Sequence, residues 1–263
     1  PAGDENRNWQ PLLANGMSSN YASVNRGKRA MTLNLKAAHG PRILRRLIER
    51  SDVVLHNFLP DTAARLGLSY EAVQAINPRL VYCSINGYGE KGAMRNKPGY
   101  DMMLQAFSGT MSTTGFEGGP PVRYGVSFID MATGLAAYGA IVGALFAREH
   151  SGEGAWVHGS LLETAVSLLG YHAISWLQGG ELPLKQGSGS SSTVPYQAFQ
   201  CSDGYILLGA PNDAAWQRFC EAIGEPTIVT DPRFVSIEQR VNNRDILIPM
   251  IEKKFLGDCT KNW

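Results

Sequence analysis

The chain has 263 residues, with 24 Lys and Arg against 23 Asp and Glu, a length that allows one large or two modest domains. This near-neutral balance gives no electrostatic argument for binding nucleic acid or an anionic membrane surface. The four cysteines form no C-x-x-C pair and the five histidines are scattered. This pattern excludes a disulfide scaffold or thiolate zinc site and argues against a histidine-rich metal site.

The first third of the chain alternates short strands with helices. Residues 1–27, rich in Asn, Ser and Gly, indicate a loop, and the alternation over Ala30–Leu35 predicts a short strand. A helix is predicted after Gly40, with four arginines on its outer face: Arg42, Arg45, Arg46 and Arg50. A buried strand, two helices and a second strand follow, at 52–56, from Asp61, from Ser69 and at 80–85. Such alternation predicts a parallel α/β sheet.

The rest of the chain has longer helices and a β-hairpin. The predicted elements are a helix at 100–107, a long helix at 127–148, a strand at 155–158, a helix from Ser160 to about Gln178, a hairpin at 195–201 and 205–208, and helices at 214–223 and 245–255. The segment Met131–Ala147 has no charged residue, but its glycines and short length favour a buried helix of a soluble protein over a membrane span. We expect those glycines to let a neighbouring backbone approach closely.

Asp130 is the first candidate for chemistry, because it lies at the start of the long helix. Free N–H groups and the helix dipole would stabilise a carboxylate there. The alternative is that Asp130 only caps the helix, and the same ambiguity applies to Asp101. The hydroxyl-rich segment 108–115 could hold a polar ligand or be a surface loop, and His56 is expected to be structural. Since no Walker A, G-x-S-x-G or H-E-x-x-H motif is present, the residues alone indicate an α/β enzyme that binds a polar ligand.

A series of short motifs carries a more specific signal. In chain order they are Asn25–Arg29, Asn57–Pro60, Arg65–Leu68, Asn77–Leu80, Gly87–Gly89, Pro98–Asp101, Pro120–Pro121, Asp130 and Gly152–Gly154. In this order they resemble the class III CoA-transferase family, the formyl-CoA and carnitine-CoA transferase type. The stretches 126–144 and 194–209 are similar to the succinyl-CoA:glutarate branch of that family.

The resemblance implies an architecture. We expect a Rossmann-like large domain, incomplete here at both ends, with a smaller α+β domain and an interlaced homodimer. Residues 1–150 would be the CoA-binding large domain with the long active-site helix, and 151–263 a linker helix and the small domain. We also expect the chain to be the middle of a longer protein, cytoplasmic if bacterial and mitochondrial if eukaryotic.

The resemblance also implies a mechanism and a set of contacts. Asp130 would be the nucleophile, passing through a mixed anhydride and an aspartyl-CoA thioester, without a metal or a tightly bound cofactor. The CoA contacts implied are Leu33, Lys36, Asn57, Phe58, Arg65, Tyr100 and Asp101, with Lys36 and Arg65 on phosphates and Phe58 near the adenine. The substrates would be an acyl-CoA and a carboxylic, in particular dicarboxylic, acid, with Arg123 or Lys97 as the cation for the second carboxylate.

Two alternatives remain open. One is an α-methylacyl-CoA racemase-like isomerase, but Tyr100 stands where that branch has a histidine base. Tyrosine is a poor base near neutral pH because its reference pKa is about 10. The other alternative is a truncated fragment that binds CoA or dimerises without catalysis.

Overall fold

The structure, a computed structural model, describes residues 3–263 and divides them into two compact units. The first unit comprises the residues up to Ser84 together with Gly139–Val157. The second comprises Ile85–Tyr138 together with His158–Trp263. The domain boundary at residue 150 stays a prediction.

The first unit is built around a small β-sheet flanked by short helices. Its elements are α1 (Ser19–Asn25), α2 (Gly40–Ile48), β1 (Val53–His56), α3 (Pro60–Arg65), α4 (Tyr70–Ile76) and the first four residues of β2 (Val81–Asn86). With β3 (Trp156–Ser160), the strands form a sheet in the order β1-β2-β3. Because β1 and β2 run parallel, with Val53 opposite Val81, the predicted parallel α/β sheet is confirmed.

Helix α2 packs against this sheet through one apolar side. Ile48 is buried in a core cluster with Val73 and Tyr82, and Leu44 packs against the same cluster. The four arginines are exposed, as the periodicity predicts. A glycine is required at the first position of α2, since a Cβ on Gly40 would overlap the backbone at Asn34.

Two expectations for the amino-terminal part are wrong. Within the predicted loop 1–27, whose first two residues lie outside the described part, the chain forms α1 and a 3-10 turn at Glu5–Asn8. Ser18 starts α1 by accepting a 3.3 Å hydrogen bond from the N–H of Tyr21. Residues 30–35 form no strand and are mostly exposed, since alternation alone does not supply the partner that a strand needs.

The second unit contains most of the helices. Its elements are α5 (Asp101–Phe107), the start of α6 (Phe128–Ser151), α7 (Leu161–Leu169), α8 (Tyr171–Gly179), β4 (Tyr196–Gln200), β5 (Tyr205–Gly209), α9 (Asp213–Ala222), α10 (Ile237–Asn242) and α11 (Arg244–Phe255). The predicted hairpin is confirmed, since β4 and β5 pair antiparallel. The helix predicted from Ser160 to Gln178 is divided at Gly170, whose φ of +51° breaks the helical geometry.

The hairpin packs on the last helices around a buried arginine. Arg240 is fully buried and donates to the carbonyl oxygens of Val194 and Phe234, each at 3.1 Å. Its guanidinium also pairs with Asp213 at 2.9 Å and lies over the Trp216 ring. This network, with the surrounding apolar side chains, forms the largest core of the second unit.

The expectation of a buried α6 is wrong for most of its surface. Among the described residues, α6 buries Ile129, Thr133 and Ala137, whereas Leu135 and Phe146 are each more than two-thirds exposed. Apart from the adjacent residues and the nearby backbone of α6 itself, no described atom lies within 4 Å of a Cβ built on Gly134, Gly139 or Gly143. By length and composition α6 could cross a membrane, a weak criterion that core helices of soluble proteins also meet.

Candidate active site

Asp130 is the third residue of α6, and its side chain is exposed. The helix begins at Phe128, so the capping position is residue 127 and the alternative that Asp130 is the N-cap is wrong. Its carboxylate is therefore available to a ligand from the solvent side. The structure places the main catalytic candidate at a helix start, where the sequence predicts it.

The Asp101 side chain, not that of Asp130, caps α6. Oδ2 of Asp101 accepts hydrogen bonds from the N–H of Ile129 at 2.8 Å and of Asp130 at 3.1 Å. The N–H of Phe128 donates to the carbonyl oxygen of Val126 at 2.9 Å. The N–H groups at this helix start are thus occupied, and the expectation that they are free to stabilise the Asp130 carboxylate is wrong.

The environment of Asp130 makes its carboxyl group more basic than usual. Desolvation by the surrounding protein, together with the negative charge of Asp101, raises the pKa of Asp130 to about 6. An anion on the helix dipole would show the opposite direction. The pKa of Asp130 rises instead because desolvation, and after it the like charge of Asp101, disfavour its ionised form, while Asp101 accepts the helix N–H groups.

Gln105 completes the arrangement and is a residue that sequence reasoning missed. It lies one turn after Asp101 on α5, and its side-chain amide donates to Oδ1 of Asp101. Its Oε1 accepts the N–H of Tyr124 at 2.9 Å, so it links α5 to the segment that enters α6. The signal was present, because Asp and Gln four residues apart on a predicted helix form side-chain hydrogen bonds.

A buried apolar cluster packs the start of α5, which carries Asp101, against the start of α6, which carries Asp130. Leu104 of α5 and Ile129 of α6 are fully buried in one cluster with Leu161. The turn at Gly87 and the segment before α5 approach so closely that a Cβ on Gly99 would lie 2.9 Å from Cα of Gly87 and 2.8 Å from Leu104. The glycines in these two motifs therefore allow backbone contact that fixes the start of α5.

The other predicted CoA contacts fall in two sets. Tyr100 and Asp101 lie in the second unit at the start of α5, where Tyr100 is 67% exposed and Asp101 only 6%. The first unit contains Leu33, Lys36, Asn57, Phe58 and Arg65, of which Lys36, Asn57 and Arg65 are exposed.

The first-unit segments that carry the predicted CoA contacts pack on one core cluster. Leu35, Phe58 and Leu66 pack on it, which brings the 33–36 segment, the turn after β1 and the end of α3 to the same core. Arg65 donates to Oγ1 of Thr62 at 3.0 Å. His56 is buried and bonded to the hydroxyl of Tyr82 at 2.6 Å, which agrees with the structural role expected for it.

The hydroxyl-rich segment 108–115 behaves as a turn. Thr110 donates to the carbonyl oxygen of Gln105 at 2.9 Å, and Ser112 and Thr113 likewise donate to nearby backbone oxygens. This segment and helices α7 and α8 line a largely apolar cavity of about 300 Å³. Within residues 3–263, no group of three or more His, Cys, Asp or Glu could hold a metal ion.

The fold and the site define a class: an α/β protein with a parallel sheet and an exposed, unusually basic carboxylate at a helix start. The whole chain, residues 1–263, matches the sequence model of CoA-transferase family III. The chain belongs to this family, which agrees with the resemblance drawn from its motifs.

Similar proteins and a similar crystal structure also point to this family. A succinyl-CoA:glutarate CoA-transferase of Mus musculus is 38% identical over 262 residues, covering 100% of this chain and 60% of the mouse protein. An acetyl-CoA:oxalate CoA-transferase of Acetobacter aceti is 35% identical, covering 99% and 67%. The crystal structure of a CaiB/BaiF family protein from Brucella suis matches with a TM-score of 0.83 at 33% identity, covering 100% of this chain and 70% of that one. The chain thus spans about three-fifths of the mouse relative.

Proposed function

We propose that the protein to which this chain belongs moves CoA from an acyl-CoA donor, such as succinyl-CoA, to a carboxylic, in particular a dicarboxylic, acid. The observation that carries the proposal is the exposed Asp130 carboxylate with a pKa of about 6 at the start of α6. The names of the mouse and Acetobacter relatives both pair an acyl-CoA with a dicarboxylate acceptor, glutarate in one and oxalate in the other.

The first half of the proposed reaction transfers CoA to the protein. The Asp130 carboxylate attacks the thioester carbonyl of the donor and the C–S bond breaks. This step releases the CoA thiolate and leaves a mixed anhydride between Asp130 and the donor acyl group. The thiolate then attacks the aspartyl carbonyl, the anhydride C–O bond breaks, and the donor acid leaves as its carboxylate. The product is a thioester between Asp130 and CoA.

The second half repeats these steps with the acceptor. The acceptor carboxylate attacks the aspartyl thioester, the CoA thiolate leaves, and a second mixed anhydride forms. The thiolate attacks the acceptor acyl carbon, which releases the Asp130 carboxylate and the new acyl-CoA. Since the overall reaction exchanges one thioester for another, it needs no ATP.

The raised pKa suits this role. A carboxyl group with a pKa of about 6 is about 90% ionised at pH 7, so most molecules carry the nucleophilic form. Its basicity also exceeds that of an ordinary aspartate, which favours attack on a thioester. The exposed Tyr100 does not favour the racemase-like alternative, because that reaction needs a base near neutral pH.

One side of α6 has no packing partner among residues 3–263, and this supports a further part of the proposal, a homodimer. Large apolar side chains along this helix, among them Leu135, Tyr138 and Phe146, are about 70% exposed. An exposed apolar surface of this kind marks a protein contact. Light scattering of the full-length protein at several concentrations tests the dimer, and a monomer at all concentrations would contradict it.

The experiment that tests the activity uses the full-length protein with succinyl-CoA and glutarate. Formation of glutaryl-CoA is expected for the wild type and its loss for Asp130→Ala. Mass spectrometry of a peptide containing Asp130, after quenching with substrate present, should detect the CoA adduct. The matched control Asp245→Ala removes an exposed carboxylate in the first turn of α11 and should keep full activity. Wild-type activity in Asp130→Ala would disprove the assignment.

A further inference from the structure

We propose that Asp101 is a positioning residue for Asp130, its buried carboxylate fixing the first turn of α6, and that it is not a CoA contact. The inference rests on the proposed function of Asp130. Asp101 is 6% exposed, and its two oxygens accept three hydrogen bonds: one from the Gln105 amide and two from the backbone of α6. A side chain occupied in this way has little surface left for a ligand.

The contact between Asp101 and α6 joins two helix starts that are distant in sequence. A helix is usually capped by the residue just before it, whereas here the capping side chain lies 29 residues from Asp130. The N–H of Asp130 is itself one of the capped groups, so its backbone position follows that of Asp101. Holding a nucleophile in one place matters because misplacement by about 1 Å can cost on the order of 10²-fold in rate.

Gln105 holds Asp101 in turn. It is 1% exposed and bonds both to Asp101 and to the N–H of Tyr124, in the segment that leads into α6. The Tyr124 ring packs on Phe128 with 4.5 Å between ring centroids. A chain of contacts therefore runs from α5 through Gln105 to the entry of α6, and it fixes both sides of the turn that carries Asp130.

If Asp101 only stabilises the fold as a helix cap, its replacement should not change the titration of Asp130, whereas a positioning role beside Asp130 predicts such a change. The titratable groups on the two segments that meet at this helix start are Asp101 and Tyr100 at the start of α5, and Arg123 and Tyr124 before α6. Arg123 donates to the carbonyl oxygen of Gly125 at 3.4 Å, and the charge that acts on Asp130 is that of Asp101. Removing this charge should therefore move the titration of Asp130 to lower pH, which a loss of fold stability alone would not do.

The test is Asp101→Asn in the full-length protein, with Asp245→Asn as the charge-matched control. We expect kcat to fall on the order of 10- to 100-fold, KM for acyl-CoA to stay within about twofold, and the acid limb of the pH–rate profile to move to lower pH. In Asp101→Glu, which keeps the charge but moves the oxygens, kcat should fall while the acid limb stays in place.

Two outcomes would overturn the proposal. A large rise in KM for acyl-CoA with unchanged kcat in Asp101→Asn would make Asp101 a CoA contact. A fall in kcat without movement of the acid limb would leave only a structural cap. Where Asp101→Asn does not fold, Gln105→Met tests the same network, because it removes the amide donor and keeps both carboxylates. A lower kcat at constant KM then supports the proposal, and an unchanged kcat contradicts it.

A measurement independent of turnover separates this inference from the proposed activity. In protein with ¹³C-labelled aspartate, the carboxyl resonance of Asp130, assigned with Asp130→Asn, is titrated in the wild type and in Asp101→Asn. A lower titration midpoint in Asp101→Asn supports the coupling even where no CoA transfer is found, in which case the proposed function alone fails. An unchanged midpoint overturns the inference even where transfer is found.

Discussion

The backbone N–H of Asp130 donates a 3.1 Å hydrogen bond to the carboxylate of Asp101, so the two acidic residues meet at one helix start. The helix dipole favours an anion at this position, and Asp101 takes the bonds through which that preference acts. Desolvation, and after it the repulsion of this neighbouring anion, raise the pKa of Asp130. This division explains how one helix start can carry a structural carboxylate and a basic, exposed one.

The first prediction concerns the pH dependence of activity. Under the proposed function only the ionised form of Asp130 attacks a thioester, and the pKa of this carboxyl group is raised to about 6. The rate should therefore fall by half near pH 6 and by about tenfold at pH 5, as expected for a single ionisation. Initial rates of glutaryl-CoA formation between pH 5 and 8, with enzyme stability checked at each pH, measure this. A rate that stays constant down to pH 5 would contradict it.

The second prediction concerns stability, where the sign follows from the same pKa. The folded pKa of Asp130 lies above the usual aspartate value of 3.8, so the folded state binds the proton more tightly than the unfolded state. The stability linked to this proton is present below pH 4 and is lost as the pH rises through about 6.

A neutral replacement should therefore stabilise the fold only where Asp130 is charged. Relative to the wild type, Asp130→Asn should gain about 1 kcal/mol or less at pH 8, since solvent screens the exposed carboxylate, and nothing at pH 4. Urea unfolding at both pH values measures the difference. A higher free energy of unfolding for Asp130→Asn at pH 4 but not at pH 8 would contradict the raised pKa of Asp130.

Much of the fold could be predicted from the sequence, because local patterns determined it. The alternation of strands and helices around β1 and β2 and the hairpin β4–β5 are confirmed. The strand predicted at 30–35 is wrong, because a strand depends on a partner that alternation does not reveal. The break at Gly170 was missed because a single glycine inside an apolar helical pattern is compatible with a continuous helix.

The candidate site was predictable only in part, for a related reason. Asp130 could be placed at a helix start from the pattern of residues 127–148, which is local information. The capping of that start by Asp101 depends on a contact across 29 residues, which no local pattern encodes. Because this contact contributes to the raised pKa of Asp130, the direction of that shift could not be predicted from the sequence either.

The third prediction contrasts two glycines. A Cβ on Gly99 would lie 2.8 Å from Leu104 and 2.9 Å from Gly87, so Gly99→Ala should destabilise the protein by about 1–3 kcal/mol. Gly134 lies inside α6 with no described atom, apart from the adjacent residues and the nearby backbone of α6 itself, within 4 Å of a Cβ, so Gly134→Ala should stabilise the chain by about 0.5–1 kcal/mol.

Denaturant unfolding of both variants checks this contrast. Destabilisation by Gly134→Ala in the full-length protein, together with stabilisation in the isolated chain, would locate a contact of α6 with the remainder of the protein or with a second subunit. Stabilisation by Gly99→Ala would contradict the close approach at the start of α5.

The fourth prediction concerns the cation that, under the proposed function, would hold the second carboxylate of a dicarboxylic acceptor. Arg123 is exposed on the segment that enters α6, one residue before Tyr124, whose N–H is bonded to Gln105. Lys97, the other candidate, lies in the exposed segment before α5. Arg123 is favoured because it directly precedes Tyr124, whose N–H is bonded to Gln105 in the network proposed to position Asp130.

A charge-assisted pair between a guanidinium and a carboxylate is worth about 1.5–3 kcal/mol. Arg123→Gln should therefore raise KM for glutarate at least about tenfold and change KM for a monocarboxylic acceptor much less, while Lys97→Gln leaves both unchanged. Steady-state kinetics with the two acceptors distinguish these cases. The reverse pattern would assign the role to Lys97. Equal losses for both acceptors in Arg123→Gln would show that Arg123 acts on the entry of α6 and does not recognise the second carboxylate.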